Sequence, residues 1–446
     1  MASPTLDERL LQTLQRQASP QTAKELASEL NISQPTLSRA LNRLGNQVAV
    51  LGRARSTRYG AIREIRGMGH RFPLTSISID GNPARVGELI SLTGDQFFVQ
   101  WETGSSNAYE DLPWFIWDMR PQGFLGRALL QQHPELKLPG RWQDWRSDDI
   151  LQWLTLHGSS CPGNLIVGEA AFQNWQEQAM RHPAMAIALG DRTSRYVDLA
   201  THALQGSGYG SSAGGEQPKF FAMRANADGS FQEVLVKFSP PMDSAAGQRW
   251  ADLLICEHLA LQLLAEEEST HGLATHSELI IAGGRVFLEV ERFDRISLAG
   301  RRGVVSLEAV NAEFLGLKEQ TWESAAAALM TQRRISQADH DILLRRTVFA
   351  QLIANTDRHF GNISFFFDEG ERLSLTPAYD MLPMAFAPVN NEVIERAFPA
   401  ALPRTETLVF WSWGKDLAAR YWQRAQDDYR ISEAFKQAIA HSVGSM

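Results

Sequence analysis

Asp357 and Asn362 stand five positions apart in the run Thr356-Asp357-Arg358-His359-Phe360-Gly361-Asn362. That is the D-x-x-x-x-N spacing of phosphoryl-transfer catalytic loops, where the carboxylate orients an acceptor hydroxyl and takes its proton and the asparagine holds Mg²⁺. Chance supplies about one such pair in a chain of this length at average composition, so the flanking sequence must decide. A helix ends near Asn355 and a strand starts at Ile363. The turn Asp368-Glu369-Gly370-Glu371 then sends a second strand back over Arg372 to Thr376. A hairpin centred there sets Ile363 opposite Thr376 and brings Asn362 toward the exit Pro377 to Asp380. Asp380 thereby reaches the same cation as Asn362.

Two lysines carry the next chemistry. The segment from Gly206 to Lys219, GSGYGSSAGGEQPK, is a glycine- and serine-rich loop closing on a lysine. Small residues let backbone N–H groups approach phosphate oxygens, and the lysine adds a point charge. The Walker A spacing is absent and a strand follows instead of a helix. Taken alone, the loop fits a flexible linker equally well. Next, Glu233-Val234-Leu235-Val236-Lys237-Phe238 places one lysine in an apolar strand, a costly site unless an anion meets it or the strand is a solvent-facing edge. The helix expected over about 245–264 offers Asp252 and Glu257 as partners, and the sequence does not choose between them. A further strand, Arg285 to Arg295, ends in a charged turn, the kind of place where kinases read adenine through backbone groups.

The elements that must position these groups begin with a basic head. Residues 1–60 hold eight basic and four acidic side chains, a net of +4, while the rest carry 35 basic and 47 acidic, a net of −12. Leu10, Leu11 and Leu14 predict a first helix, and Ala23 to Leu30 a second with Leu26, Ala27 and Leu30 inward. Ser33 as N-cap and Pro35 in the first turn start a third helix, Gln34 to Leu44, which buries Leu37, Leu41 and Leu44. Its other face presents Gln34, Thr36, Ser38, Arg39, Asn42 and Arg43, side chains suited to base edges and phosphates. Val48 to Leu51 and the hairpin around Arg53, Arg55 and Arg58 complete a winged helix-turn-helix with a basic wing. Duplex DNA is its expected partner, with a protein-contact surface as the competing reading. One head has a small footprint, so a homodimer on a two-fold site is expected.

Residues 62–150 read as a β-rich subdomain, with Ile77-Ser78-Ile79 stopping at the turn Asp80-Gly81-Asn82-Pro83, then Val86 to Ile90 and Gln96 to Trp101, followed by helices at 114–117 and 126–132. At 446 residues, 44% hydrophobic and 21% charged, the chain has the length for two or three globular domains. Cys161 and Cys256 stand far apart without metal-ligand spacing, which excludes a disulfide scaffold or zinc finger and fits a reducing cytoplasm. No run approaches the ~18 apolar residues of a membrane span, no secretory signal is legible, and membrane partners are not expected. The net charge of −8 excludes a protein that coats nucleic acid along its whole length.

Together, "SAGGEQPK" (212–219), "LVK" (235–237), "VERFDR" (290–295), "TDRHFGN" (356–362) and "LTPAYD" (375–380) resemble the HipA family. These are bacterial serine/threonine kinases with a two-lobed, phosphatidylinositol-kinase-like fold, best known as toxins of toxin–antitoxin systems. The resemblance covers roughly 65–400, and the added winged helix is similar to the YjjJ-type branch. It implies an α+β architecture: winged helix 1–60, β-rich subdomain 62–150, N-lobe 151–295 and mostly helical C-lobe 296–446. It also implies ATP and Mg²⁺ as cofactors, Asp357 as proton acceptor, and Asn362 and Asp380 as metal ligands. Gly214, Gly215, Glu216, Gln217, Pro218 and Lys219 match the phosphate-contacting loop, and Lys237 the second phosphate-binding lysine. Glu291, Arg292 and Phe293 match the adenine-reading hinge, while His359 and Tyr379 lie among nucleotide contacts. Ser212 matches the family's autophosphorylated serine, with Ser211 beside it making the assignment ambiguous. The family's partner is a separate DNA-binding antitoxin. Here a DNA-binding module is fused in cis, which leaves a separate antitoxin, and toxicity, open.

Two function classes follow: an ATP-dependent kinase acting on a serine or threonine of a cytoplasmic protein, and a DNA-binding regulator whose kinase-like body senses nucleotide. Asp357, Asn362, Asp380 and Lys237 occurring together favour the kinase, because a pure sensor has no use for a proton acceptor.

Overall fold

The N-terminal helices are set by their caps. In the computed structural model, which describes residues 4–17, 19–52, 57–206, 217–267, 273–367, 372–394 and 401–443, Thr5 and Glu8 form a reciprocal capping box on α1 (Leu6–Arg16). After the two-residue strand β1 (Gln21–Thr22), Thr22 and Glu25 repeat the device on α2 (Ala23–Glu29). Ser33 caps α3 (Gln34–Leu44) with proline in its first turn, as expected. Leu10, Leu14, Leu26, Leu30, Leu37, Leu41 and Leu44 meet in one core. The wing strands β2 (Val48–Leu51) and β3 (Arg58–Ala61) pair antiparallel, and β1 adds to β3.

This winged helix is not a free head. Ala49 and Leu51 on the wing pack with Ile90, Leu92 and Phe98 of the following subdomain. Gly60 makes that approach possible, because a Cβ there would meet Leu92 Cδ1 at 3.0 Å. Residues 1–120 and 135–179 form one compact unit; 121–134 and 180–446 form the other.

Within the first unit, β4 (Arg71–Ile77), β5 (Pro83–Leu92), β6 (Gln96–Trp101) and β7 (Ser106–Tyr109) follow the turn signals as an antiparallel meander. Two expectations are corrected. The helix α4 (Gly123–Gln132) belongs to the second unit, and the chain returns to the first for α5 (Ser147–His157) and β8 (Leu165–Val167). Since β8 pairs with β4 at the sheet edge, the subdomain runs past 150 to about 179. A three-residue apolar strand is too short to show a period, so the boundary was illegible. The helix α6 (Glu169–Met185) carries the chain onward.

The second unit opens with β9 (Ile187–Ala188) and α7 (Arg192–Gly206), then β10 (Lys219–Ala225), β11 (Phe231–Phe238), α8 (Ala245–Glu266), β12 (Ser277–Ala282) and β13 (Arg285–Glu291). The sheet order is β12-β13-β11-β10-β9. Tyr196 and Ala200 of α7 bury Phe220, Val236, Phe238 and Phe287 on one face. On the same side, the buried Glu289 carboxylate takes the Arg224 guanidinium at 2.6 Å, that of Arg192 at 3.1 Å and the Tyr196 hydroxyl. Alternation turns Lys237 to the opposite face, where α8 lies. Short strands β14 (Arg295–Ile296), β15 (Gly300–Arg301) and β16 (Val304–Ser306) lead to α9 (Leu307–Val310), α10 (Trp322–Thr331) and α11 (Gln337–Leu352). The hairpin β17 (Ser364–Phe366) and β18 (Ser374–Leu375) pairs with β16, and α12 (Trp411–Asp427) and α13 (Glu433–Val443) close the chain. Among the described residues no helix is long and apolar enough to cross a membrane.

Candidate active site

α11 leads into the loop that carries Asp357 and Asn362. Ala354 ends the helix with a left-handed φ of 58°, and the chain then crosses to β17. Three contacts fix the loop's path. The Trp322 indole N–H donates to the His359 carbonyl at 3.1 Å, Phe360 is buried, and the Asn362 amide donates to the Asp357 carbonyl at 2.7 Å. Backbone anchoring leaves the Asp357 and His359 side chains 53% and 56% exposed, their carboxylate and imidazole 3.9 Å apart. The Gly361 N–H donates to His359 Nδ1, which places the ring proton of the neutral form on Nε2.

The hairpin forms with a register one residue from that expected. Phe365 faces Leu375 and the Thr376 N–H donates to the Ser364 carbonyl at 3.0 Å, so Ile363 falls opposite Pro377 rather than Thr376. Pairing Phe365 with Leu375 keeps two buried side chains on one face, which register slippage would not. The exit segment is still laced to the loop. The Tyr379 hydroxyl donates to the Gly361 carbonyl at 2.9 Å and lies 2.7 Å from Ser364 Oγ. Asp380 follows with φ 54°.

From the sheet side, Lys219 and Lys237 stand directly opposite in the β10–β11 ladder, so both ammonium stems leave the same face. Lys237 donates to both oxygens of Glu257, at 2.6 and 2.9 Å, and to Asp380. Burial works against its charge, but Asp380 and Glu257 together hold the ammonium above its ordinary value. Burial also opposes ionisation of Asp380, yet Lys237 and then Lys219 bring its carboxyl below the usual range. For Glu257, burial outweighs Lys237 and raises the carboxyl. Asp252, the other candidate, instead accepts from the Ser432 N–H and hydroxyl at 2.9 and 2.6 Å.

The Asn362 side-chain nitrogen is committed to Asp357, which leaves Oδ1 as its acceptor end; with the ionised Asp380 this is a hard-oxygen set of the kind Mg²⁺ takes. Of the phosphate-loop candidates, Gln217 donates from Nε2 to the Phe238 carbonyl at 2.5 Å, and the Pro218 carbonyl accepts from the Phe238 N–H at 3.0 Å. Ser211, Ser212, Gly214, Gly215 and Glu216 lie outside the described residues, as do Arg53 and Arg55. At the expected hinge, the Arg292 guanidinium is buried against Asp294 and Glu233, so its side chain braces the turn. Phe293 is tilted over Tyr379 at 5.7 Å between centroids. Glu291 accepts from Arg224.

In the winged helix, Gln34, Ser38, Arg39, Asn42 and Arg43 are exposed on α3 as expected. Two of the expected contact residues have other partners. Thr36 is half-buried, its hydroxyl 2.9 Å from that of Ser33, because it serves the helix cap. Arg43 is held by both oxygens of Asp7, at 2.8 and 2.6 Å, so its charge is already met. Arg58 donates to the Pro20 carbonyl at 3.2 Å, which ties the wing to the turn before β1.

With this geometry in view, the chain falls into a class. Residues 211–444 match the HipA-like C-terminal domain, residues 68–176 the middle domain of YjjJ-like toxins, and residues 5–47 a winged helix-turn-helix DNA-binding domain. The chain belongs to the YjjJ-like, HipA-related toxin family. It is 37% identical over 427 residues to Toxin YjjJ of Escherichia coli (strain K12), across 94% of this chain and 93% of that protein. Among solved structures, a chain of the Shewanella oneidensis MR-1 complex of HipA, HipB and operator DNA superposes with a TM-score of 0.46 at 14% identity, over 83% of this chain and 95% of that one. The Helicobacter pylori proinflammatory kinase CtkA gives 0.32 at 11% identity, over 50% and 88%.

Proposed function

We propose that the chain is an ATP- and Mg²⁺-dependent serine/threonine protein kinase of HipA type, toxin-like and autophosphorylating, with its own DNA-binding module. The observation that carries this reading is Lys237, paired with Glu257 of α8 on one side and with Asp380 on the other, where the Asp380 turn is tied through Asn355 to the loop that exposes Asp357. Phosphoryl transfer needs little covalent chemistry from a protein; it needs positioned charge. Lys219 and Lys237 would meet nucleotide phosphates, and the backbone at Glu291 to Phe293 would read adenine. Asn362 and Asp380 would hold Mg²⁺, which when bound neutralises phosphate charge. The acceptor hydroxyl oxygen would bond to the γ-phosphorus as the bond to the bridging oxygen breaks, and its proton would pass to the Asp357 carboxylate.

The N-terminal module would place α3 in the major groove of duplex DNA with Arg58 and the wing against phosphates. Duplex DNA would be its partner, and a homodimer would span a two-fold site. The test is intact mass after incubation with ATP and Mg²⁺. One added phosphate within 207–212, most simply on Ser212, absent from an Asp357→Gln variant, supports the reading; unchanged mass at high protein concentration overturns autophosphorylation. Comparing phosphoproteomes of cells expressing the two chains would then identify the protein substrate.

A further inference from the structure

We propose that Asn355, which lies outside the D-x-x-x-x-N motif, is a positioning residue that couples the Asp357 loop to the Asp380 turn. The inference rests on the kinase reading. Asn355 is 1% exposed and sits where α11 has just ended. Its own N–H donates to the Ala350 carbonyl at 2.9 Å, which fixes the residue to the helix end. Its side chain then acts in two directions. Oδ1 accepts the Asp357 N–H at 3.0 Å, and Nδ2 donates to the Asp380 carbonyl at 3.3 Å. One amide therefore holds the backbone of both the proposed proton acceptor and the proposed metal ligand.

The chemistry asks for an amide at this point. A carboxylate accepts but does not donate, a hydroxyl is too short to span both partners, and a buried polar group left without its partner is costly. The bond to Asp380 matters because that residue holds a left-handed φ of 54°, a region an L-residue occupies when its surroundings impose it. Lys237 already draws on the Asp380 carboxylate. With the carbonyl released, the turn can relax toward Lys237 and away from Asn362. Asn355 would thus set how readily Asp380 is presented to a cation, without touching nucleotide or metal.

The experiment is calorimetric titration of the full-length chain with a non-hydrolysable ATP analogue at several Mg²⁺ concentrations, alongside the rate of ATP consumption. Three variants are compared. Asn355→Asp keeps the acceptor for Asp357 and replaces the donor, Asn355→Ala removes both, and Asn355→Ser keeps a small polar group. The Mg²⁺ concentration for half-maximal binding should rise about tenfold in Asn355→Asp and Asn355→Ala, the factor one buried hydrogen bond supports. Nucleotide affinity at saturating Mg²⁺ should change little, while turnover falls. Unchanged Mg²⁺ dependence would overturn the proposal. So would an equal loss of affinity at every Mg²⁺ concentration, or failure of all three variants to fold by circular dichroism, since either makes Asn355 a purely structural residue. A wild-type chain that binds no Mg²⁺–nucleotide would instead overturn the kinase reading.

Discussion

Lys237 Nζ lies 2.6 and 2.9 Å from the carboxylate oxygens of Glu257, twenty residues along the chain, and also meets Asp380, 143 residues along. A strand, a helix and a distant turn therefore converge on one ammonium. Taking these charges out of water is expensive, and only their mutual pairing offsets the cost. Such a cluster is poor evidence for stability and better evidence for a function that needs a fixed, desolvated positive charge.

Breaking the pair should separate these two effects. Glu257→Leu leaves a buried ammonium with Asp380 as its remaining carboxylate partner in the cluster, and should lower stability by about 3–5 kcal/mol. Adding Lys237→Met should recover part of that loss in urea titrations, because the buried ammonium is gone, while Asp380 loses its Lys237 partner and keeps only the weaker attraction of Lys219. The double variant should nonetheless fail to bind nucleotide. Recovery of both stability and binding would remove Lys237 from the phosphate site.

Asp380 and Asp357 should divide their effects differently. Asp380→Asn should abolish transfer, because an amide is a far poorer Mg²⁺ ligand than a carboxylate. Asp357→Asn should retain nucleotide affinity and lose turnover, since its side chain is exposed and its structural bonds run through its backbone. Calorimetry in which both variants lose affinity alike would contradict separate roles.

The helix end, loop and hairpin around Asp357 and Asn362 were legible because their information is local. The lysine's partner was not. Asp252 and Glu257 are about 140° apart around α8, but α8 is buried on nearly every side, so hydrophobic periodicity could not say which face meets the sheet. Asn355 carried only a faint signal, a polar amide at the end of an apolar helix just before the motif. The strand at Leu165–Val167 carried none. The pairing of Arg43 with Asp7, 36 residues away, is a tertiary contact that single-helix reasoning cannot reach.

His258, next to Glu257 on α8, makes stability depend on pH. It is buried with Nδ1 2.9 Å from Ser277 Oγ, and burial, aided by Arg430 and opposed by Asp428, pushes it down to about 4 from 6.5. His276 lowers it further and Glu278 acts in the opposite direction. Because the folded value is depressed, the unfolded chain takes up a proton that the native chain refuses between these values. The contribution is therefore complete above about pH 6.5 and is lost progressively down to about 4, amounting to about 3 kcal/mol. Urea midpoints across that range should fall less steeply for His258→Gln than for the wild-type chain. Parallel curves would assign the acid sensitivity elsewhere.

The Asp7–Arg43 pair bears on how the winged helix would read DNA. Deleting residues 1–60 is a poor test, because it would bare Ile90, Leu92 and Phe98 on the sheet beneath the wing. Point changes avoid this. Among the described residues Arg39 donates to the Pro35 carbonyl of its own helix and has no carboxylate partner, so its charge remains available, whereas Arg43 must leave Asp7 before it can meet a phosphate or base. Arg39→Ala should therefore weaken binding and relax preference at particular base pairs, and Arg43→Ala should change affinity little. Asp7→Asn should free Arg43, raise affinity for all sequences alike, and steepen the log–log salt dependence by about 0.9, the value of one added phosphate contact. Asp7→Asn combined with Arg43→Ala should return to the wild-type slope. Fluorescence anisotropy with a duplex pool at several salt concentrations measures each arm. An unaltered slope in Asp7→Asn would mean that Arg43 faces away from the DNA, and that the pair only fastens α1 to α3.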